Sequence, residues 1–133
     1  MKRANKETAR KVYYTWEQFD EDIDKIVKII KRDYPNIKCI YGIPKGGLVP
    51  AIKIANRLNL PLYLVLAWAD EQCRPESILI VDDCVDVGTT LGSIKDIDKY
   101  ITATIFIKPQ SKIKPKIWCR ECSNDKWVVF GWE

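Results

Sequence analysis

The chain has 133 residues, 47% of them apolar and 30% charged, with a net charge of +4 and no histidine. This length suits one domain with a real hydrophobic core and is too short for two. Without histidine, any proton transfer must use a carboxylate, lysine, tyrosine, cysteine or the substrate itself. Residues 1–11 hold five Lys/Arg against one Glu, which already makes +4, so residues 12–133 are neutral. The total charge therefore indicates no basic face, and nucleic acid is not an expected partner. The chain divides into a basic N-terminal tail, 1–11, expected to be flexible, and a domain over 12–133. No apolar run reaches membrane-spanning length and the start lacks the apolar core of a secretory signal, so no membrane partner and a cytoplasmic location are expected.

In chain order, Thr15 with Gln18 matches a capping box and opens a helix from about Thr15 to Arg32. Phe19, Ile23, Ile26, Val27 and Ile30 recur at helical spacing, with acids early and bases late. Tyr34-Pro35-Asn36 ends it, and Ile37 to Tyr41 reads as a buried strand. Gly42-Ile43-Pro44-Lys45-Gly46-Gly47 is a tight loop, followed by a helix from Val49 or Pro50 to Leu58. Leu62 to Ala67 reads as the next strand and Asp70 to Glu76 as a polar connection. Ile78 to Val81 is a buried strand, 90–100 a helix, and Thr102 to Ile107 a strand. Trp118 lies in a further strand, and Trp127 to Phe130 forms an edge strand. Strands alternating with helices predict an α/β fold with a doubly wound, mostly parallel sheet flanked by helices. Ligands of such sheets bind beyond the carboxyl ends of the strands.

Five cysteines are an odd count without the dense spacing of a disulfide scaffold. Cys119 and Cys122 have C-x-x-C spacing but lie on a predicted strand, with no second pair and no histidine to complete a zinc site. They read as reduced buried thiols.

The segment of greatest interest is Ile80-Val81-Asp82-Asp83-Cys84-Val85-Asp86-Val87-Gly88-Thr89-Thr90. A buried strand breaks into three carboxylates within five positions, then into a glycine turn with two hydroxyls. Turn amides suit a phosphate, while the acids suit a hard cation and ribose hydroxyls. An Asp-Asp pair alone is less specific: it occurs in many α/β folds, phosphorylated receiver domains among them, and Asp86 or Thr89 equally fits a helix cap. The Gly42–Gly47 loop lacks the glycine spacings of Walker A and of the dinucleotide fingerprint. Lys45 with Gly46 and Gly47 fits either a plain strand-to-helix turn or a second anion cradle, which would imply a ligand with two separated phosphates. A basic cluster, Lys108, Lys112, Lys114, Lys116 and Arg120, lies near enough to serve an anion.

The acid-glycine segment resembles the phosphoribosyl-pyrophosphate motif of type I phosphoribosyltransferases. The likeness extends to Tyr14-Thr15-Trp16-Glu17-Gln18-Phe19, Gly46-Gly47-Leu48-Val49-Pro50-Ala51, Thr104-Ile105-Phe106-Ile107-Lys108-Pro109 and Asp125-Lys126-Trp127-Val128. These occur in the order seen in xanthine-guanine phosphoribosyltransferases, from about Tyr13 to the C-terminus. The resemblance implies a purine phosphoribosyltransferase that joins a 6-oxopurine (guanine, xanthine or hypoxanthine) to phosphoribosyl pyrophosphate. It implies Mg²⁺ as cofactor and a homo-oligomer, dimer or tetramer. Asp82 and Asp83 would hold the ribose hydroxyls and Mg²⁺, and Asp86 would accept the proton of purine N7. Val87, Gly88, Thr89 and Thr90 would bind the 5′-phosphate, and Lys45 with Gly46 the pyrophosphate. Lys108 would donate to the 6-oxo group, Trp127 would stack on the base, and Val128 with Trp127 would contact the 2-substituent through carbonyls. By themselves, Lys108 reads as a surface lysine in a basic loop and Trp127 as a core residue.

The chain departs from that family at three places. Val87 stands where threonine is usual, and Lys45 replaces the more frequent arginine, a planar fork exchanged for a point charge. Only Ala67 to Ser77 joins the two strands between which the family carries a long mobile loop. A non-catalytic member that senses a nucleotide or phosphoribosyl pyrophosphate is the alternative to an enzyme.

Overall fold

The computed structural model describes residues 5–133; residues 1–4 of the expected tail lie outside the described residues. Eleven elements follow one another: β1 (Arg10–Tyr13), α1 (Trp16–Asp33), β2 (Cys39–Gly42), α2 (Leu48–Leu58), β3 (Leu62–Tyr63), α3 (Leu66–Gln72), β4 (Ile78–Val85), α4 (Thr89–Gly92), β5 (Ile101–Ile107), β6 (Ile117–Glu121) and β7 (Lys126–Val129). Single 3₁₀ turns at Pro75–Ser77 and Ile97–Lys99 complete them.

β4 and β5 are apolar on both faces because the sheet they centre is wholly parallel. Its order is β3-β2-β4-β5-β6. Period-two alternation divides β4 between two cores: Leu79 and Val81 pack with α1 and α2, whereas Ile78 and Ile80 pack on the opposite face with Ala69 and Leu91. The sheet is therefore doubly wound, as the pattern predicts. The connections from β2 and β4 run to opposite sides, which makes the gap between these two strands the topological switch point.

α1 forms as read. The Thr15 side chain accepts from Gln18 N, the Gln18 side chain accepts from Thr15 N, and Lys31 and Arg32 occupy the last turn. Other expectations shift. Only Leu62 and Tyr63 pair as β3, and the chain enters α3 at Leu66, because burying Ala69 under the sheet outweighs extending an edge strand with Leu64 and Val65 exposed. The region 90–100 holds one helical turn rather than a helix. Ser93 Oγ bonds back to Thr90 O and Asp96 adopts a left-handed conformation, both of which end the helix locally. Arg10 and Lys11, which the sequence assigns to the tail, belong to β1. β1 pairs parallel with β7 in a separate two-stranded sheet, Arg10 opposite Lys126 and Tyr13 opposite Val129.

One buried carboxylate ties three layers together. Asp22 of α1 accepts from Tyr14 Oη at 2.5 Å and from Arg120 Nε of β6 at 2.7 Å. Burial and the bond to Asp22 push the Tyr14 phenol far above its usual range. Cys119 Sγ donates to the Asp22 carbonyl at 3.6 Å. Breaking a buried pair by removing one partner strands the others, so Asp22→Ala should cost about 3 kcal/mol or more of unfolding free energy. Urea denaturation reads this directly, and an unchanged midpoint would show the network to be idle.

Candidate functional site

The loop after β2 closes onto the end of β4 at the switch point. Ile43 N donates to Val81 O at 2.9 Å, and the Pro44–Lys45 peptide is cis. A Cβ at Gly47 would overlap Val81 O, and one at Gly46 would overlap the Asp83 carboxylate. Trp132 Nε1 donates to Gly46 O at 3.1 Å, so the segment after β7 holds the same loop from the other side. Lys45 is exposed at the loop tip.

Beyond Val81 the strand carries its acids into two adjoining open cavities, one smaller than the other. The smaller one is bounded by Asp82 and by the turn Val87, Gly88, Thr89 and Thr90. Gly88 has φ 90°, which a side chain would strain, and Ile113 N and Ser111 Oγ lie 3.2 Å from where its Cβ would stand. Lys112 N reaches Val87 O at 3.5 Å, so the loop after β5 supports the turn. With a single helical turn behind it, an anion here would depend on turn amides and hydroxyls rather than on a helix dipole.

The larger cavity is lined by Asp83, Lys108, Trp127, Val128, Phe130 and Glu133, and shares Cys84 and Asp86 with the first. Lys108 is no surface lysine: its side chain is 3% exposed, with Nζ donating to Lys126 O at 2.6 Å and 3.7 Å from Asp86 Oδ1. Nζ lies 6.0 Å from the Trp127 ring centroid. Among the described residues the two cores exclude Trp127, which is half-buried at the cavity wall, whereas Val128 is buried. The other basic residues disperse. Arg120 serves Asp22, and Lys116 Nζ donates to the carbonyls of Asp98 and Tyr100.

Two residues escape the sequence reading. Glu133 lines the larger cavity and its carboxyl bonds with Asp83; a single glutamate after a tryptophan offers no pattern to detect. Gln110 donates through Nε2 to Asp86 Oδ1, and its position directly behind the Lys108-Pro109 pair was its only sequence signal. All five cysteines are free thiols. Burial pushes Cys119 up to about 12 and raises Cys122 as well, which agrees with inert reduced thiols.

Burial raises the Asp82 carboxyl above the usual range. Asp83 is pushed up to about 7, by burial first and then by the charge of Asp82, while Glu133 also reaches about 7 through burial and its bond to Asp83. Clustered carboxylates held this far above their ordinary values suit an oxygen-seeking cation such as Mg²⁺. Among the described residues, no three His, Cys, Asp or Glu side chains converge as a metal cage.

In the unfolded chain these carboxyls titrate near 4. The folded protein thus keeps protons that the unfolded chain releases, so stability from the Asp83–Glu133 pair is full below pH about 4 and is lost as pH rises through about 7. In Mg²⁺-free buffer Asp83→Asn should therefore stabilise the protein at pH 8 by on the order of 1 kcal/mol, solvent at Glu133 damping the effect. At pH 4 it should change little. Unfolding midpoints of the two proteins at both pH values check the sign.

Solved structures resemble the whole chain. A purine phosphoribosyltransferase from Pyrococcus horikoshii matches with a TM-score of 0.74 and 26% identity, over 92% of this chain and 94% of that one. The xanthine-guanine-hypoxanthine phosphoribosyltransferase of Helicobacter pylori shares the fold, with a TM-score of 0.76, 19% identity and 93% of each chain covered. No family profile matches the chain. A xanthine-guanine phosphoribosyltransferase of Nitratidesulfovibrio vulgaris (strain DP4) is 30% identical over 141 residues, 93% of this chain and 86% of the relative. The fold is thus that of the purine phosphoribosyltransferases. Within that class, the chain belongs to the xanthine-guanine phosphoribosyltransferase family.

Proposed function

We propose that the chain transfers the 5-phosphoribosyl group of phosphoribosyl pyrophosphate to N9 of a 6-oxopurine, guanine, xanthine or hypoxanthine. The bond from C1′ to pyrophosphate breaks, the bond from N9 to C1′ forms, and the proton of purine N7 passes to Asp86. The observation that carries this reading is the position of Asp86, shared by the two cavities, with the Lys108 ammonium 3.7 Å away. A phosphoribosyl group in the smaller cavity and a purine in the larger one would meet beside it.

On this reading the turn Val87–Thr90 cradles the 5′-phosphate through amides and the Thr89 and Thr90 hydroxyls. Val87 contributes an amide but no hydroxyl. Asp82 and Asp83 hold the ribose hydroxyls and the Mg²⁺, with Glu133 as a neighbouring carboxyl. When bound, that ion neutralises charge on the pyrophosphate as it leaves. Lys45 and the Gly46 amide face the pyrophosphate at the exposed loop. Lys108 donates to the 6-oxo group, Trp127 stacks on the base, and the carbonyls of Trp127 and Val128 meet the 2-substituent. No nucleophilic side chain is required, because the purine is itself the nucleophile and the site has only to position it and stabilise charge. The chain would act in the cytoplasm, as a dimer or tetramer. Leu64, Val65 and Trp68 are exposed apolar residues on the β3–α3 edge that an assembly would cover, and light scattering would read its mass.

The β3–β4 connection favours a second reading, a sensor that binds these ligands without turnover. It contains α3, whose Ala69 is buried and whose Asp70 accepts from Tyr100 Oη at 2.8 Å, in place of a long closing loop. Incubation with phosphoribosyl pyrophosphate, Mg²⁺ and each purine separates the two: nucleoside monophosphate and pyrophosphate in equal amounts support the enzyme, and binding without product supports the sensor. For the enzyme, Asp86→Asn should lower kcat by about 10²-fold while changing the KM for phosphoribosyl pyrophosphate little. Trp127→Ala should raise the purine KM by about tenfold through lost stacking area. Unaltered constants in either variant would remove that residue from its role.

A further inference from the structure

Gln110 holds a place that stability alone does not explain. The residue is 6% exposed, its Nε2 donates to Asp86 Oδ1, and its Oε1 is buried with no hydrogen-bond partner. Burying an amide oxygen unpaired costs free energy that an apolar side chain of the same length would avoid. In return the amide supplies one interaction with a charged group, and that group is the carboxylate common to both cavities. The backbone of Gln110 is also held, its N–H donating to Asn124 Oδ1 at 3.0 Å in the turn that leads into β7. Gln110 thus bonds to the acid at the end of β4 and to the turn before the strand that carries Trp127. It follows Lys108 by two positions in the loop after β5.

We propose that Gln110 is a positioning residue: it fixes the plane of the Asp86 carboxylate against the N7–H edge of the purine and makes the site discriminate for bases that carry that proton. The inference rests on the purine reading of the site and deepens it. Asp86 Oδ1 accepts from Gln110 Nε2 and has the Lys108 ammonium 3.7 Å away, so one hydrogen bond and one ion pair act on the same oxygen. Through Asn124 the same residue relates the height of that carboxylate to the stacking face of Trp127. A purine between them is then held at N7 and on its face by groups whose relative placement Gln110 sets. Without the amide, Asp86 would still be present but would lose the bond that orients this oxygen, and proximity would lose part of its direction.

The test separates positioning from simple structural support. Ribose 5-phosphate with Mg²⁺ fills the sugar-phosphate half and, lacking a leaving group, permits no turnover. Calorimetry then gives the affinity for 9-deazahypoxanthine, which retains N7–H, and for 7-deazahypoxanthine, which does not. The wild-type protein should prefer the first. Gln110→Met, of similar length and without polar atoms, should weaken 9-deazahypoxanthine by about tenfold, the value of one hydrogen bond to a charged group. It should leave 7-deazahypoxanthine within about twofold, and should keep or raise the thermal midpoint by removing the orphaned oxygen. Gln110→Leu provides the same comparison if the first variant folds poorly. Equal weakening of both analogues would reduce Gln110 to a packing residue, and no change in either would leave it without a role. If wild type binds neither analogue, the purine reading itself falls, and this inference with it.

Discussion

Gly46 and Gly47 lie so close to the end of β4 that no side chain fits between them and Val81 or Asp83. This contact at the switch point sets the rest of the site. β2 and β4 are adjacent and parallel, with Gly42 opposite Val81, so their loops leave the sheet at the same height. The loop after β2 can therefore fold over the first acids of β4, pinned by Ile43 N on Val81 O. Side chains at 46 or 47 would force the loop away and open the pocket toward solvent. With the contact closed, Asp82 and Asp83 lose water, and their raised protonation follows from that desolvation.

The periphery holds this contact in place. Trp132 donates to Gly46 O and stacks on Phe130 with ring centroids 4.8 Å apart. Tyr14, Phe106 and Phe130 meet edge to face beneath them. The two-stranded sheet of β1 and β7 delivers Trp127 and Val128 to one wall of the larger cavity, while β5 delivers Lys108 to the other. Asp22 joins this aromatic layer to the main sheet through Tyr14 and Arg120. Among the described residues two buried side-chain oxygens lack a hydrogen-bond partner, Asp22 Oδ1 in this support and Gln110 Oε1 beside the cavities, while Asp83 and Glu133 keep raised protonation at the cavity wall. The groups at the cavities lie where a ligand is expected to complete them.

Much of the fold was legible in the sequence, and for identifiable reasons. α1 carries both halves of its capping box within four residues, β4 opens on the apolar run Ile78–Val81 and β5 is buried throughout, so local chemistry and tertiary demand agree. Legibility failed where they compete. The 62–67 run has strand composition but yields to the gain from burying Ala69. The 90–100 segment has helical composition, but Ser93 and the left-handed Asp96 end it after one turn. β1 is short and sits next to the charged start of the chain, and only its pairing with β7 makes it a strand.

The sequence by itself determined the cluster of Asp82, Asp83 and Asp86 at a strand end, the glycine turn behind it and the α/β class, because each of these is written in neighbouring residues. Tertiary structure alone decided that Lys108 is buried beside Asp86, that Trp127 belongs to a cavity rather than to a core, and that Glu133 and Gln110 join the acids. Lys108 and Gln110 follow β5, whereas Trp127 and Glu133 belong to β7 and the segment after it. The two regions are about twenty residues apart and 22 or more residues from Asp86, and only the parallel register of the sheets brings them to the acids.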